Sequence, residues 1–234
     1  MTRRSPTQVL ADVNAALVRD HDITDILSTL LHDAIDTLDL SAAGLLVTTR
    51  GGDLELLSAT SHRVAVLEIF QAHHGAGPCV DCMKTRQPVT AQGAEVIADR
   101  WPEIGPVIAA AGFQMVHAQP MLWHNTVLGG MNFFRTQPEP ITAEQTEFIE
   151  AITDAAMLAL IQTPGIDLND VIDRIQTALY GRILIERAKG VLAHREHLDM
   201  ETAYQHLVNL ADSNGTGLAG TTEQVIQQAI TPSP

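Results

Sequence analysis

Apolar residues at 26, 27, 30, 31, 34, 35 and 38 recur at the spacing of one helix face. Residues 7–38 are read as helical on this pattern, with Thr24 as an N-cap within the stretch. The period then shortens. Ala42–Thr48 and Leu54–Ala59 are β-prone runs on either side of Gly51-Gly52-Asp53, which predicts a hairpin. A short helix is expected over 61–72. Gly75-Ala76-Gly77-Pro78 breaks it and puts Pro78 at the first position of the next helix. Residues 88–91 read as a strand, and 114–122 and 126–134 as a second hairpin turning near His124-Asn125. Thr142-Ala143-Glu144-Gln145 is a capping box ahead of an apolar helix that reaches about residue 160. Pro164-Gly165 ends that helix and marks a boundary.

Beyond the boundary the pattern is helical throughout. Leu168, Ile172, Ile175 and Leu179 step by four, three and four, a coiled-coil seam of under two heptads that predicts a homodimer. The same side continues as Arg182, Glu186 and Lys189, with Arg174 two turns before Arg182 near that face. A helix over 167–193 would be about 40 Å long. Asp199 is expected to cap a second helix. Residues 213–217 form a loop, and the capping box Thr221-Thr222-Glu223-Gln224 opens a third helix. The whole reads as an α+β unit with an antiparallel sheet flanked by helices, followed by an all-α stem and three-helix bundle. The divisions are 1–19 for an N-terminal helical segment, 20–163 for the α+β unit and 164–234 for the helical unit.

Composition narrows the function. The chain has 234 residues, 45% of them hydrophobic, and no apolar run long enough to span a membrane. There is no apolar stretch behind the N-terminal arginines to make a secretory signal. Two cysteines make no disulfide framework, so a cytoplasmic protein is expected. The formal charge is −14. Residues 1–166 hold 9 Lys/Arg against 19 Asp/Glu, and residues 167–234 hold 5 against 9. Neither half is basic, so any nucleic-acid contact must come from a local patch.

The string Arg182-Ile-Leu-Ile-Glu-Arg-Ala-Lys-Gly-Val-Leu192 resembles the Arg–x–x–Ile–x–x–Ala–Lys–Gly–x–Leu core of ANTAR domains, the helical RNA-binding modules of bacterial antiterminators. Gly190 would then serve close helix packing. Two cations common in that family are replaced, by Val208 after Leu207 and by Gly217 before Leu218; Arg195, His194 and His206 are the nearest substitutes. The element order of the first unit, with Gly75-Ala-Gly-Pro-Cys79 ahead of a helix, is similar to that of GAF domains, small-molecule sensing modules. The two resemblances imply a GAF sensor that binds a small ligand or senses redox state. Its last helix would pass a change across Pro164-Gly165 to a dimeric ANTAR unit. There Arg174, Arg182 and Lys189 would contact hairpin loops of a nascent transcript and prevent termination.

Other chemistry is thinner. Cys79-Val-Asp-Cys82 is a C-x-x-C at a helix N-terminus, where the dipole is expected to lower the Cys79 pKa. His73 and His74 lie upstream, but a single Cys pair assigns no metal. His117, His124, Trp101 and Trp123 are candidate ligand-pocket residues. With no phosphate-binding glycine loop and no catalytic triad, no catalytic residues and no cofactor are assigned, and the chain is not read as an enzyme. Two alternatives stay open. One is a GAF-type redox sensor or enzyme using Cys79 and Cys82. The other is a dimeric sensor that acts through a protein partner without RNA.

Overall fold

The two longest apolar strands sit near the middle of the sheet, because both their faces are covered. β4 (Met115–Trp123) and β5 (Thr126–Arg135) form a hairpin whose turn holds His124 at φ 51°. β1 (Ala42–Thr48) pairs with β5, β2 (Leu54–Ala59) lies outside β1, and β3 (Val89–Gln92) lies outside β4. The order is β2-β1-β5-β4-β3, antiparallel throughout. This is a computed structural model, and it describes residues 4–18, 22–161 and 168–230.

On one face of the sheet lie α1 (Pro6–Leu17), α2 (Ile23–Leu38) and α7 (Ala143–Leu160). Leu27, Leu30, Leu31, Ile149 and Ile152 meet Leu45, Met131 and Phe133 there. The other face is covered by α3 (His62–His74), α4 (Pro78–Thr85), α5 (Ala94–Arg100) and α6 (Gly105–Ala110). Val64, Leu67, Ile97, Ile104 and Ile108 pack on Val116, Ala118 and Phe134. Alternate residues of a strand point to opposite faces, so Phe133 and Phe134 anchor different cores.

α8 (Leu168–Glu196), α9 (Met200–Asn214) and α10 (Gly217–Ile230) make a bundle around Ile185, Ala188, Leu192, Tyr204, Leu207 and Val225. α8 is a single 29-residue helix. Its first half is built into the core of the α+β unit, where Val171, Ile175, Ala178 and Leu179 join the α1–α2–α7 cluster. Among the described residues, no helix is long and apolar enough to cross a membrane.

Several expectations change. The helical stretch of 7–38 is two helices, and Asp22, not Thr24, caps the second: the Asp22 carboxylate accepts from the Thr24 N–H at 2.7 Å. α5 and α6 were not anticipated. They are too short to show a helical period, and α5 stops at Trp101, held extended ahead of Pro102. The box at 221–224 does not open α10. That helix starts four residues earlier, Thr221 and Thr222 are buried inside it, and the Ala219 N–H is taken by the Asp25 carboxylate of α2 at 2.7 Å. Gly190 is not a packing glycine, since a Cβ there would meet nothing within 4 Å. The boundaries expected at 19/20 and at Pro164-Gly165, and the helix start at 167, lie outside the described residues.

Candidate functional site

The second half of α8 turns its charged row toward the α+β unit. Arg182, Glu186 and Lys189 are spaced four and three apart and share a face. Glu186 Oε2 is 2.7 Å from Lys189 Nζ, and Glu186 Oε1 is 4.0 Å from Arg182. Lys189 is only 1% exposed. Its amine also donates to His62 Nδ1 at 3.3 Å, at the start of α3, and lies 5.9 Å from the centre of the Tyr204 ring. A buried ammonium survives only with such partners, because its desolvation costs several kcal/mol (roughly) when unpaired. Burial draws the Arg182 guanidinium below its ordinary pKa, against the pull of Glu186 and of Glu55 on β2.

Around this row the bundle is joined to the α+β unit by polar contacts. The Tyr204 hydroxyl donates to the Ala59 carbonyl at the end of β2 at 2.8 Å. Burial pushes the Tyr204 phenol well above its ordinary pKa, so it remains a donor. The Glu201 carboxylate accepts from the Arg63 backbone N–H at 3.1 Å, and Asp25 caps α10. Arg50 pairs with Asp173 at the solvent edge. Two glycines permit the close approach. A Cβ at Gly181 would lie 2.3 Å from Thr24 Oγ1, and one at Gly217 would lie 2.3 Å from Asp25 Oδ2.

A second polar cluster is sealed between α3, α4 and the sheet. Glu68 is fully buried and accepts from Asn132 Nδ2 at 2.8 and 2.7 Å and from Gln71 Nε2 at 3.0 Å. Gln71 Oε1 in turn accepts from the Cys79 N–H at 3.0 Å. Burial raises the Glu68 carboxyl to a pKa of about 8, outweighing the amide hydrogen bonds. A neutral carboxyl can donate, and Asn132 Oδ1 beside it is buried without another partner. Side chains at Gly44, Gly77 or Gly130 would collide with Glu68, Gln71 or Cys79, so the space is filled.

Cys79 and Cys82 belong to this cluster and are both buried. The expected lowering of the Cys79 pKa does not occur. Its hydrogen bond with Cys82, then burial, push the thiol well above its ordinary value. The pocket candidates are dispersed. His117 is buried on β4, where Nδ1 is 2.7 Å from Thr90 Oγ1 and burial lowers its pKa to about 4. His124 is exposed in the β4–β5 turn, and the Trp123 ring lies 4.9 Å from it. Trp101 is buried and donates Nε1 to Asp81 at 2.9 Å. Among the described residues, no group of His, Cys, Asp and Glu is placed to hold a metal ion.

The α8 residues divide as follows. Ile175 and Leu179 are buried in the chain's own core, Ile172 and Arg174 are half-buried, and Leu168 is exposed. Val208 is half-buried beside α2 in the groove that Gly217 also lines. His194 and Arg195 are exposed, and His206 Nδ1 is 2.8 Å from Glu196. Glu68, Asn132, His62, Asp25 and Tyr204 were missed. Each acts through a partner distant in the chain, and only the helical position of Glu68, on an apolar face between Leu67 and Gln71, carried any signal.

Comparison with known proteins gives two family matches. A GAF domain model matches residues 20–160, and an ANTAR domain model matches residues 173–226. No curated protein matches the chain. Solved structures with the same fold include the GAF domain of an Acinetobacter phosphoenolpyruvate-protein phosphotransferase, at 12% identity and a TM-score of 0.51, covering 69% of this chain and 97% of that one. The fRMsr of Staphylococcus aureus in complex with substrate aligns at 15% identity and 0.51, covering 66% and 94%. The phycocyanobilin-bound GAF domain of a cyanobacterial phytochrome aligns at 11% identity and 0.53, covering 69% and 96%.

Proposed function

The chain belongs to the GAF domain family and carries an ANTAR domain after it, and from that architecture we propose a cytoplasmic, signal-responsive antitermination regulator. The GAF domain senses a small ligand and α7 passes the change to α8, which packs against it. The ANTAR domain binds hairpin RNA, where unstacked loop bases can be read. The observation that carries this reading is the single row of Arg182 and Lys189 within the ANTAR match, with Arg174 earlier on the same helix. In a half of the chain that is acidic overall, that row is where phosphate neutralisation can occur. The protein works as a homodimer. With Ile175 and Leu179 used inside one chain, the contact falls on the exposed side of α8, where Leu168, Tyr180 and Ile183 are 38%, 58% and 45% exposed.

The test is salt-dependent binding of a hairpin RNA to the full chain and to an Arg182→Ala, Lys189→Ala variant. The variant is expected to bind about tenfold or more weakly, with a salt slope lower by about two units. Equal binding by parent and variant overturns the reading. Sedimentation of the same protein as a monomer removes the dimer from it. A second reading, a sensor acting through a protein partner, is favoured by one observation: Val208 and Gly217 stand where similar domains carry cations. A redox function of Cys79 and Cys82 is disfavoured by their burial as thiols.

A further inference from the structure

The groups that dock the bundle on the sensor include those an RNA phosphate would need. Lys189 Nζ already has Glu186, His62 and the Tyr204 ring around it, and 1% of its side chain reaches water. Arg182 is half-covered beside β2. The two departures from the ANTAR pattern fall on the same interface. Gly217 sits where any side chain would strike the Asp25 carboxylate, and Val208 lines the adjoining groove against α2. A lysine at 217 would have no room while Asp25 caps α10.

We propose that the sensor domain and RNA compete for one face of the ANTAR domain, and that Val208 and Gly217 are docking residues of the closed, RNA-excluding chain. This rests on the RNA reading above. The closed state is built to be released. Its contacts at Tyr204–Ala59, Glu201–Arg63 and Asp25–Ala219 are hydrogen bonds at a domain edge, and each exposed group regains water on opening. The apolar start of α8, at Val171 and Ile175, stays buried with the sensor, and the part that opens lies beyond it and includes Gly181. RNA affinity is then multiplied by the fraction of chains that are open, so a signal that loosens α2 or β2 raises binding without touching a cation.

The geometry offers a reversible lock. A Cβ at Gly181 would stand 3.4 Å from Thr24 Cβ, at the short end of disulfide spacing. In a Thr24→Cys, Gly181→Cys variant, oxidation is expected to weaken hairpin RNA binding by about tenfold or more, and reduction to restore it. A Gly181→Leu variant, in which the larger side chain presses on Thr24, is expected to bind more tightly than the parent. The chain has two lysines, Lys84 and Lys189, so amine acylation read by mass spectrometry reports closure without RNA. Exposed Lys84 is the internal reference. Lys189 should react about tenfold or more slowly than Lys84 in the parent and the oxidised lock, and near the Lys84 rate in Gly181→Leu. Equal RNA binding by the oxidised and reduced lock overturns the competition. Lys189 reacting as fast as Lys84 in the parent overturns the closed state whatever RNA does. If acylation behaves as expected but neither the reduced lock nor Gly181→Leu binds hairpin RNA, the RNA reading fails while the closure stands.

Discussion

Glu68 and Lys189 are both almost inaccessible to water, yet their surroundings treat charge in opposite ways. Glu68 lies among neutral amides and thiols inside the sensor, and burial raises its pKa to about 8. Lys189 lies between two domains, 2.7 Å from the Glu186 carboxylate, with an opposite charge set against it. The first cluster fills the space between helices and sheet and has no route apart short of unfolding. The second separates by moving one domain off another. A buried ionisable group within a domain specifies packing, whereas one between domains can specify which of two arrangements is occupied.

The largest expected effect comes from Glu186→Gln. It keeps the shape of the Glu186 side chain and removes its charge, leaving Lys189 with a neutral amide. Glu186 is 35% exposed, so loss of this pair costs less than that of a fully buried one, about 1–2 kcal/mol. The chain can avoid that cost by releasing the bundle, so Lys189 should become reactive to acylating reagents while the GAF domain still melts cooperatively. Protected Lys189 in this variant would show that the carboxylate does not hold the interface.

Glu68→Gln sharpens the other side of the comparison, with an expected effect on stability that grows as pH rises toward 8. The unfolded carboxyl ionises from about pH 4.5, and the folded one near 8. Between those values the folded chain holds the extra proton, so stability is greatest at the acid side and falls as pH rises toward 8. The glutamine variant removes this loss. It should be more stable than the parent at pH 8, with a flatter pH profile in urea unfolding. A parent whose stability is level from pH 5 to 8 would mean that Glu68 is ionised in the fold.

What the amino-acid order reveals follows the same division. Elements built from local rules were legible: the hairpin at 114–134, the box at Thr142, the 3.6-residue period of α8. The charged row was legible as a row, because Arg182, Glu186 and Lys189 are neighbours on one helix. Its burial was not, because that depends on His62 and Tyr204, 127 residues before Lys189 and 15 after it. The start of α10 was misplaced for a similar reason. Asp25 lies 194 residues before the N–H it caps, and the nearer Thr221 matched the local pattern. Of the Glu68 cluster only the two cysteines stood out, because Gln71 and Asn132 alone are ordinary polar residues. Only the sheet places Asn132 against α3.

The smallest effect is at Gly190, and it separates the family pattern from the packing of this chain. Glycine in a helix interior costs about 0.5–1 kcal/mol relative to alanine. That cost is usually offset by a close contact, as at Gly181 against Thr24. At Gly190 a Cβ would meet nothing within 4 Å, although Lys189 beside it is fully enclosed. Gly190→Ala should therefore raise the stability of the bundle by about 0.5–1 kcal/mol, read as a higher midpoint in thermal unfolding, and leave Lys189 protected. If the glycine serves the open state instead, by letting an RNA backbone approach α8 next to Lys189, the same variant will be more stable yet bind hairpin RNA more weakly. A lower melting midpoint would place a neighbour against Gly190 and make it a packing residue after all.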